Sequence, residues 1–179
     1  MKKILIVASS LDGYIAQTKE QNSTVWTSAE DRQWFNKLSR QIGTLLMGST
    51  TYRTIGRPLP GRKTIIYTSK PEDFPQATAL NEFFSETEKQ LFVSGKMPLA
   101  ELMQTLHEKT LPEIAICGGA HLYQQALQEK LVDEIYLTLE PVFFGDGVKL
   151  FNQAMFTRCQ VLEKIELSAQ TSVWHLKLA

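Results

Sequence analysis

Asp31 is the residue best placed to do chemistry in this chain. Ser28 lies three positions before it, the spacing of an N-cap and an acidic N3 residue, so helix capping is the ordinary explanation of the acid. Counting onward along a helix complicates that explanation. Positions i+3, i+4, i+7 and i+11 from Asp31 are Trp34, Phe35, Leu38 and Ile42, all apolar. Asp31 therefore stands on the stripe that must pack inward, with Glu30 and Arg32 flanking it. A carboxylate there costs on the order of a few kcal/mol unless a polar partner meets it. It is retained where it binds something polar, such as a ligand with two N–H groups, and desolvation then raises its pKa toward the range useful for proton transfer. No other acid is expected to share this placement.

Two strand-to-helix junctions suggest a second kind of chemistry. Thr44-Leu45-Leu46-Met47-Gly48 runs into Ser49-Thr50-Thr51-Tyr52, and Ile114-Ala115-Ile116-Cys117-Gly118-Gly119 runs into Ala120-His121-Leu122-Tyr123. A strand that stops at glycine and hands over to a helix points free N–H groups and a positive dipole end outward. One such junction merely ends a strand. Two in one small domain suggest a pyrophosphate held between two helix starts, and hence a dinucleotide-dependent enzyme. His107 and His175 read as structural, whereas His121 stands at a helix start where it could touch a phosphate. Asp146, between two glycines, has no second ligand nearby, so no metal is expected.

The elements that must position these residues follow from periodicity. Strands are predicted at Ile4–Ala8, Thr44–Met47, Thr64–Thr68, Leu91–Val93, Ile114–Cys117 and Glu134–Val142, then at Gln160–Leu167 and Ser172–Leu178. Helices are predicted between the earlier strands, at Ala29–Ile42, Thr50–Ile55, Leu99–Lys109 and His121–Lys130, with Pro98 in the first turn of the third. Alternating strands and helices followed by strands alone imply an α/β fold spanning residues 1–179 as one domain. Its central sheet is mostly parallel, helices cover both faces, and an antiparallel hairpin closes the chain. Ligands in such sheets gather at the carboxyl ends of the strands, where Gly48, Ser69, Gly118 and the turn after Ile15 fall.

Bulk composition narrows the class of ligand. Nineteen basic residues balance nineteen acidic ones in 179 residues, so the basic footprint of a nucleic-acid binder is missing. No stretch approaches the roughly 20 apolar residues of a membrane span. The charged-then-apolar start, Lys2-Lys3 and Ile4 to Ala8, is broken by Ser9, Ser10 and Asp12 and reads as a first buried strand. Cys117 and Cys159 are the only cysteines and lack any zinc or disulfide spacing. A cytoplasmic small-molecule enzyme is the expectation.

With these residues in view, the chain resembles a known superfamily. The segment from Leu46 through Gly48-Ser49-Thr50-Thr51-Tyr52 and Pro58-Leu59-Pro60-Gly61-Arg62 to Lys63 looks like the central signature of dihydrofolate reductase. Trp26, Asp31 and Trp34-Phe35 resemble that family's active-site loop and first helix. Other segments are similar to the riboflavin-pathway reductase domain often fused to a deaminase. These are Ser9 to Ala16, and Leu131 to Thr138 continuing through Pro141 and Gly145-Asp146-Gly147 to Phe151. The zinc-deaminase signature is absent, so a reductase alone is expected.

The resemblance implies a dihydrofolate reductase-like three-layer fold, an NADPH cofactor and a pterin or pyrimidine substrate. It implies that Asp31 holds the pterin's amino group and ring N–H and favours protonation of the imine nitrogen through water. Val7 and Thr138 belong to the same substrate site, Phe35, Ile55 and Leu59 sandwich the ring, and Arg62 pairs with the carboxylate of a glutamate tail. Ala8 and Ile15 flank the nicotinamide. Gly48, Ser49, Thr50 and Thr51 hold the pyrophosphate with Cys117, Gly118, Gly119, Ala120, His121, Leu122 and Tyr123, while Thr68 and Ser69 receive the adenosine 2′-phosphate. The family usually has arginine at Ser49 and a third glycine at Ala120; Lys70 and His121 are the nearby replacements for the lost positive charge. The polar segment Gln17 to Thr24 reads as a lid. Relatives in the riboflavin pathway commonly dimerise, so a homodimer is an expectation as well. Three readings stand at this point: reduction of dihydrofolate, reduction of a ribosylamino-pyrimidine phosphate, and NADPH binding without turnover.

Overall fold

The computed structural model describes residues 1–19, 21–86, 90–151 and 158–179. Its main sheet has eight strands in the order β5-β4-β3-β6-β1-β7-β10-β9. Strands β1 (Lys2–Ser10), β3 (Thr44–Gly48), β4 (Lys63–Tyr67), β5 (Leu91–Val93), β6 (Glu113–Ile116) and β7 (Glu134–Glu140) are parallel. Antiparallel β10 (Ser172–Leu178) and β9 (Cys159–Glu166) complete one edge. Short strands β2 (Tyr14–Ala16) and β8 (Val148–Lys149) pair separately beside it. The predicted α/β class, the mostly parallel sheet and the closing hairpin are all present.

Strand periodicity sorts the core into two halves. Leu5 and Val7 of β1, Leu46 of β3 and Ile65 of β4 face α3 (Leu80–Ser85), α4 (Leu99–Glu108) and α5 (Ala120–Gln128), meeting Phe83, Leu102, Leu106, Leu122 and Ala126. Their neighbours Ile4, Ile6, Leu45, Met47 and Ile66 face the other way, toward α1 (Ala29–Ile42) and α2 (Ser49–Ile55). There Trp34, Phe35, Leu38, Tyr52 and Ile55 cover them. Alternate residues of a strand must leave opposite faces, so this division follows directly from the sequence.

Helix α1 begins and ends where predicted because both ends are chemically marked. Ser28 accepts from the Asp31 N–H at 3.1 Å, and Gly43 closes the helix in the left-handed region at φ 79. Pro98 is the N-cap of α4 and not a first-turn residue, one position off the expectation. Helix α3 was not foreseen, because a six-residue helix offers too little periodicity to read. The segment between β2 and α1 carries a 3₁₀ turn at Ser23–Val25, capped by Asn22; Glu20 lies outside the described residues. Among the described residues no helix is long and apolar enough to cross a membrane.

Candidate active site

Asp31 is 9% exposed and lies on the inward face of α1, as its place on the apolar stripe required. Desolvation raises its pKa above the usual carboxyl value. Hydrogen bonding from Thr138 opposes that rise, the negative charge of Glu140 adds to it, and Thr27 and Arg32 oppose it more weakly. Thr138 is 1% exposed on β7, opposite Ala8 of β1 in register. Both residues sit on the α1 side of the sheet near the carboxyl ends of their strands. Asp31 and Thr138 therefore meet, with Ala8 beside Thr138 in register.

Asp31 does not perform the full capping duty that its position invites. In a capping box the N3 carboxylate would reach back to the N–H of Ser28. Glu140 takes that N–H at 2.8 Å and also accepts from the Ser28 hydroxyl at 2.9 Å, while Thr171 donates to its other oxygen at 3.0 Å. Glu140 is 2% exposed, so the expectation that no second acid would be buried here is corrected. Its sequence signal was parity: Glu140 is two residues beyond Thr138 on the same strand, and residues two apart share a face.

The walls beside Asp31 are apolar and incompletely covered. Phe35, Ile55 and Leu59 are half-buried and pack in one cluster with Trp34 and Tyr136, whose rings lie 5.3 Å apart. Val7 is a correction as a substrate contact through its side chain. It points into the α3–α5 half of the core, because an odd position on β1 faces away from Asp31.

Arg62 is 3% exposed and hence not a loop-surface charge; Arg57 is exposed. Arg62 donates to Ser39 at 2.7 Å and to Asn36 at 3.1 Å, its Nε has no partner, and no carboxylate pairs with it among the described residues. Burial, and then the like charge of Arg40, lower its pKa from the ordinary guanidinium value. Asn36 also lines a surface trough of about 550 Å³ with Gln33, Lys37 and Arg40, so the buried cation adjoins a basic surface.

The two glycine junctions meet. Beyond the strand ends, the Cys117 N–H donates to Leu46 at 2.8 Å and the Gly48 N–H donates to Gly118 at 2.7 Å, which sets the starts of α2 and α5 side by side. The Gly118–Gly119 peptide is cis. A Cβ on Gly118 would come 3.0 Å from the Thr51 hydroxyl oxygen, and one on Gly119 would come 3.1 Å from it. Side chains larger than glycine would thus hold the junctions apart. Neither helix start has a side-chain cap, so N–H groups of Ser49, Thr50, Ala120 and His121 are available to an anion. Thr68 and the exposed Ser69 and Lys70 follow the end of β4, and half-buried Ile15 lies in β2.

Three members of the predicted cofactor set are more structural than expected. Tyr123 gives its hydroxyl to the Ile6 carbonyl at 2.7 Å and its N–H to Gly119 at 3.0 Å, so neither donor is free. Leu122 is 2% exposed in the core. Burial pushes the Cys117 thiol up to about 12, which makes it an inert wall and not a reactive group. The first-turn amphipathic pattern of α5 could have separated Leu122 and Tyr123 from the outward-facing His121. Among the remaining histidines, His107 accepts at Nδ1 from the chain's amino terminus at 3.0 Å, and His175 stacks on Tyr136 and pairs with Glu134 at 2.8 Å.

Comparison with known proteins agrees with the fold. The RibD C-terminal domain family matches residues 2–176. The chain belongs to that family, a reductase family with the dihydrofolate reductase-like fold. It is 28% identical to the YwjB protein of Bacillus subtilis over 162 residues, 85% of this chain and 83% of that one. It is 30% identical over 143 residues to a dihydrofolate reductase of Buchnera aphidicola, covering 79% of this chain and 73% of the relative. The structure of Acinetobacter baumannii RibD superposes with a TM-score of 0.76 at 23% identity, covering 99% of this chain and 58% of that longer one. As a member of a RibD-type reductase family, the chain is an oxidoreductase.

Proposed function

We propose that this RibD-family chain is a cytoplasmic, NADPH-dependent reductase that delivers a hydride to the imine carbon of a dihydropterin, with dihydrofolate the substrate that suits its site best. The observation that carries this reading is a buried Asp31 carboxyl relieved of its cap bond by Glu140. A carboxylate offers two parallel acceptors, which suit the amino and ring N–H donors of a 2-amino-4-oxopteridine. A uracil edge alternates carbonyl and N–H groups and matches that pair less well.

Asp31 would hold the pterin edge and, with its pKa raised by desolvation, favour protonation of the adjacent imine nitrogen through a water. Phe35, Ile55 and Leu59 would clamp the ring and keep water from its faces. Arg62, a buried cation with no acid paired to it among the described residues, would receive the carboxylate of a glutamate tail. The paired helix starts at Ser49–Thr51 and Ala120–His121 fit a pyrophosphate, Thr68, Ser69 and Lys70 a 2′-phosphate, and Ala8 and Ile15 a nicotinamide ring. NADPH, when bound, supplies the hydride, so that NADPH, one proton and dihydropterin become NADP⁺ and tetrahydropterin. A homodimer joined along β9 belongs to this reading, because that edge strand exposes Val161 and Leu162.

Family membership favours a second reading with the same hydride chemistry, in which a ribosylamino-pyrimidine phosphate replaces the pterin and its phosphate approaches Arg62. Loss of NADPH absorbance with each substrate separates the two. Turnover of dihydrofolate that methotrexate abolishes supports the first; turnover of the pyrimidine alone refutes it.

A further inference from the structure

Among the described residues, Glu140 is the one buried acid near the site that the proposed chemistry leaves without a role. Its oxygens meet only donors: the Ser28 N–H at 2.8 Å, the Ser28 hydroxyl at 2.9 Å and the Thr171 hydroxyl at 3.0 Å. That is the pattern of a carboxylate, which accepts and cannot donate. The Ser28 hydroxyl, having donated to Glu140, accepts from the Asp31 N–H at 3.1 Å, so one chain of hydrogen bonds runs from Glu140 through the cap to Asp31. Thr171 closes the β9–β10 turn, where its N–H donates to Ser168 at 3.1 Å. Glu140 thereby fastens the end of β7, the start of α1 and the last hairpin to one another.

We propose that Glu140 is a positioning residue for Asp31: it takes over the cap bond that Asp31 would otherwise make, and it sets a fixed negative charge beside the reacting carboxyl. The proposal rests on the reading of Asp31 as the group that holds the substrate's proton. Burial raises the pKa of Asp31, and the negative charge of Glu140 beside it adds to that rise. Glu140 has its donors fixed by backbone and cap. Asp31 has Thr138 and Thr27 on its own side, with Arg32 as the attractive charge and Tyr123, buried on α5, as a further titratable neighbour. The result is a division of labour in which a structural acid frees a second acid for ligand chemistry.

Glu140→Gln tests the proposal cleanly, because an amide can keep the Ser28 and Thr171 contacts while losing the charge. The Asp31 carboxyl is titrated by carbon-13 resonance in the wild type, in Glu140→Gln and in Glu140→Asp, alongside the pH profile of turnover. In Glu140→Gln the Asp31 midpoint falls by roughly one pH unit, and the pH at which turnover declines falls with it; in Glu140→Asp both stay near the wild-type values. A folded Glu140→Gln protein with an unmoved Asp31 midpoint overturns the proposal. Glu140→Asp provides a second arm should that variant not fold: it keeps the charge beside Asp31, and an Asp31 midpoint far from the wild-type value overturns the proposal. Because the titration needs no turnover, a protein inactive on dihydrofolate would refute the proposed substrate and leave this test intact.

Discussion

Asp31→Asn should stabilise this protein while crippling it. Asparagine has the same shape, accepts from one threonine and donates to the other, and removes a charge that is buried and faces Glu140. Mutational data place the cost of an imperfectly matched buried polar group at about 1–3 kcal/mol, so a gain on the order of 1 kcal/mol at neutral pH is expected. For a chain of this size that is a rise of about 2–4 °C in Tm. The sign follows from linkage. The folded-state pKa of Asp31 is raised, so the stability it contributes is complete below the ordinary value of 3.8 and is lost as pH climbs through the raised one. The two proteins should therefore melt alike in acid, with the variant pulling ahead as pH rises to neutrality. Turnover should fall by roughly 10²–10⁴-fold, the worth of a positioned proton donor, with NADPH affinity unchanged. Calorimetry across pH and single-turnover kinetics measure both effects. A variant less stable than the wild type at neutral pH, or one as active, refutes the account of Asp31.

Three further outcomes follow from the site. Gly119→Ala should weaken NADPH binding at least about tenfold, since its Cβ would lie 3.1 Å from the Thr51 hydroxyl oxygen and push the helix starts apart; fluorescence titration reads the change, and adding Thr51→Ala should restore affinity. Arg62→Met should raise the KM for dihydrofolate by about tenfold or more with little change in kcat, and should lower Tm only modestly, since among the described residues the lost cation has no acid partner and leaves only Ser39 and Asn36 to find new ones. An equal KM for a pterin lacking the tail in wild type and variant is the matching control. At pH 8, native protein should take up iodoacetamide at the exposed Cys159 alone, with Cys117 reacting only after unfolding, because its thiol is pushed up to about 12; peptide mass mapping counts the sites.

Much of the fold was legible because local signals and burial agree in it. Ser28 and Gly43 mark both ends of α1, and its apolar stripe tells which side faces the sheet. The glycines at positions 48, 118 and 119 announced the helix starts, and at Gly118 and Gly119 a Cβ would crowd the Thr51 side chain at 3.0 and 3.1 Å. Helix α3 and strands β2 and β8 escaped notice because they are too short to show a period, and are held by what they pack or pair against. Leu122 and Tyr123 lie in a motif associated with cofactor binding, yet their side chains turn into the core through ordinary helical geometry.

The one-dimensional pattern was sufficient to put an acid on an inward stripe, to place two uncapped helix starts at strand ends and to alternate the faces of each strand, because these depend on neighbours a few residues away. It could not say that Glu140, 112 residues beyond Ser28, would take the cap bond and leave Asp31 free, nor that Arg62 would be buried against Ser39 and Asn36. Those outcomes depend on which charges meet at distances of a few ångströms after the chain has crossed from one strand to another. Electrostatic partnership inside a core is a property of that assembled geometry.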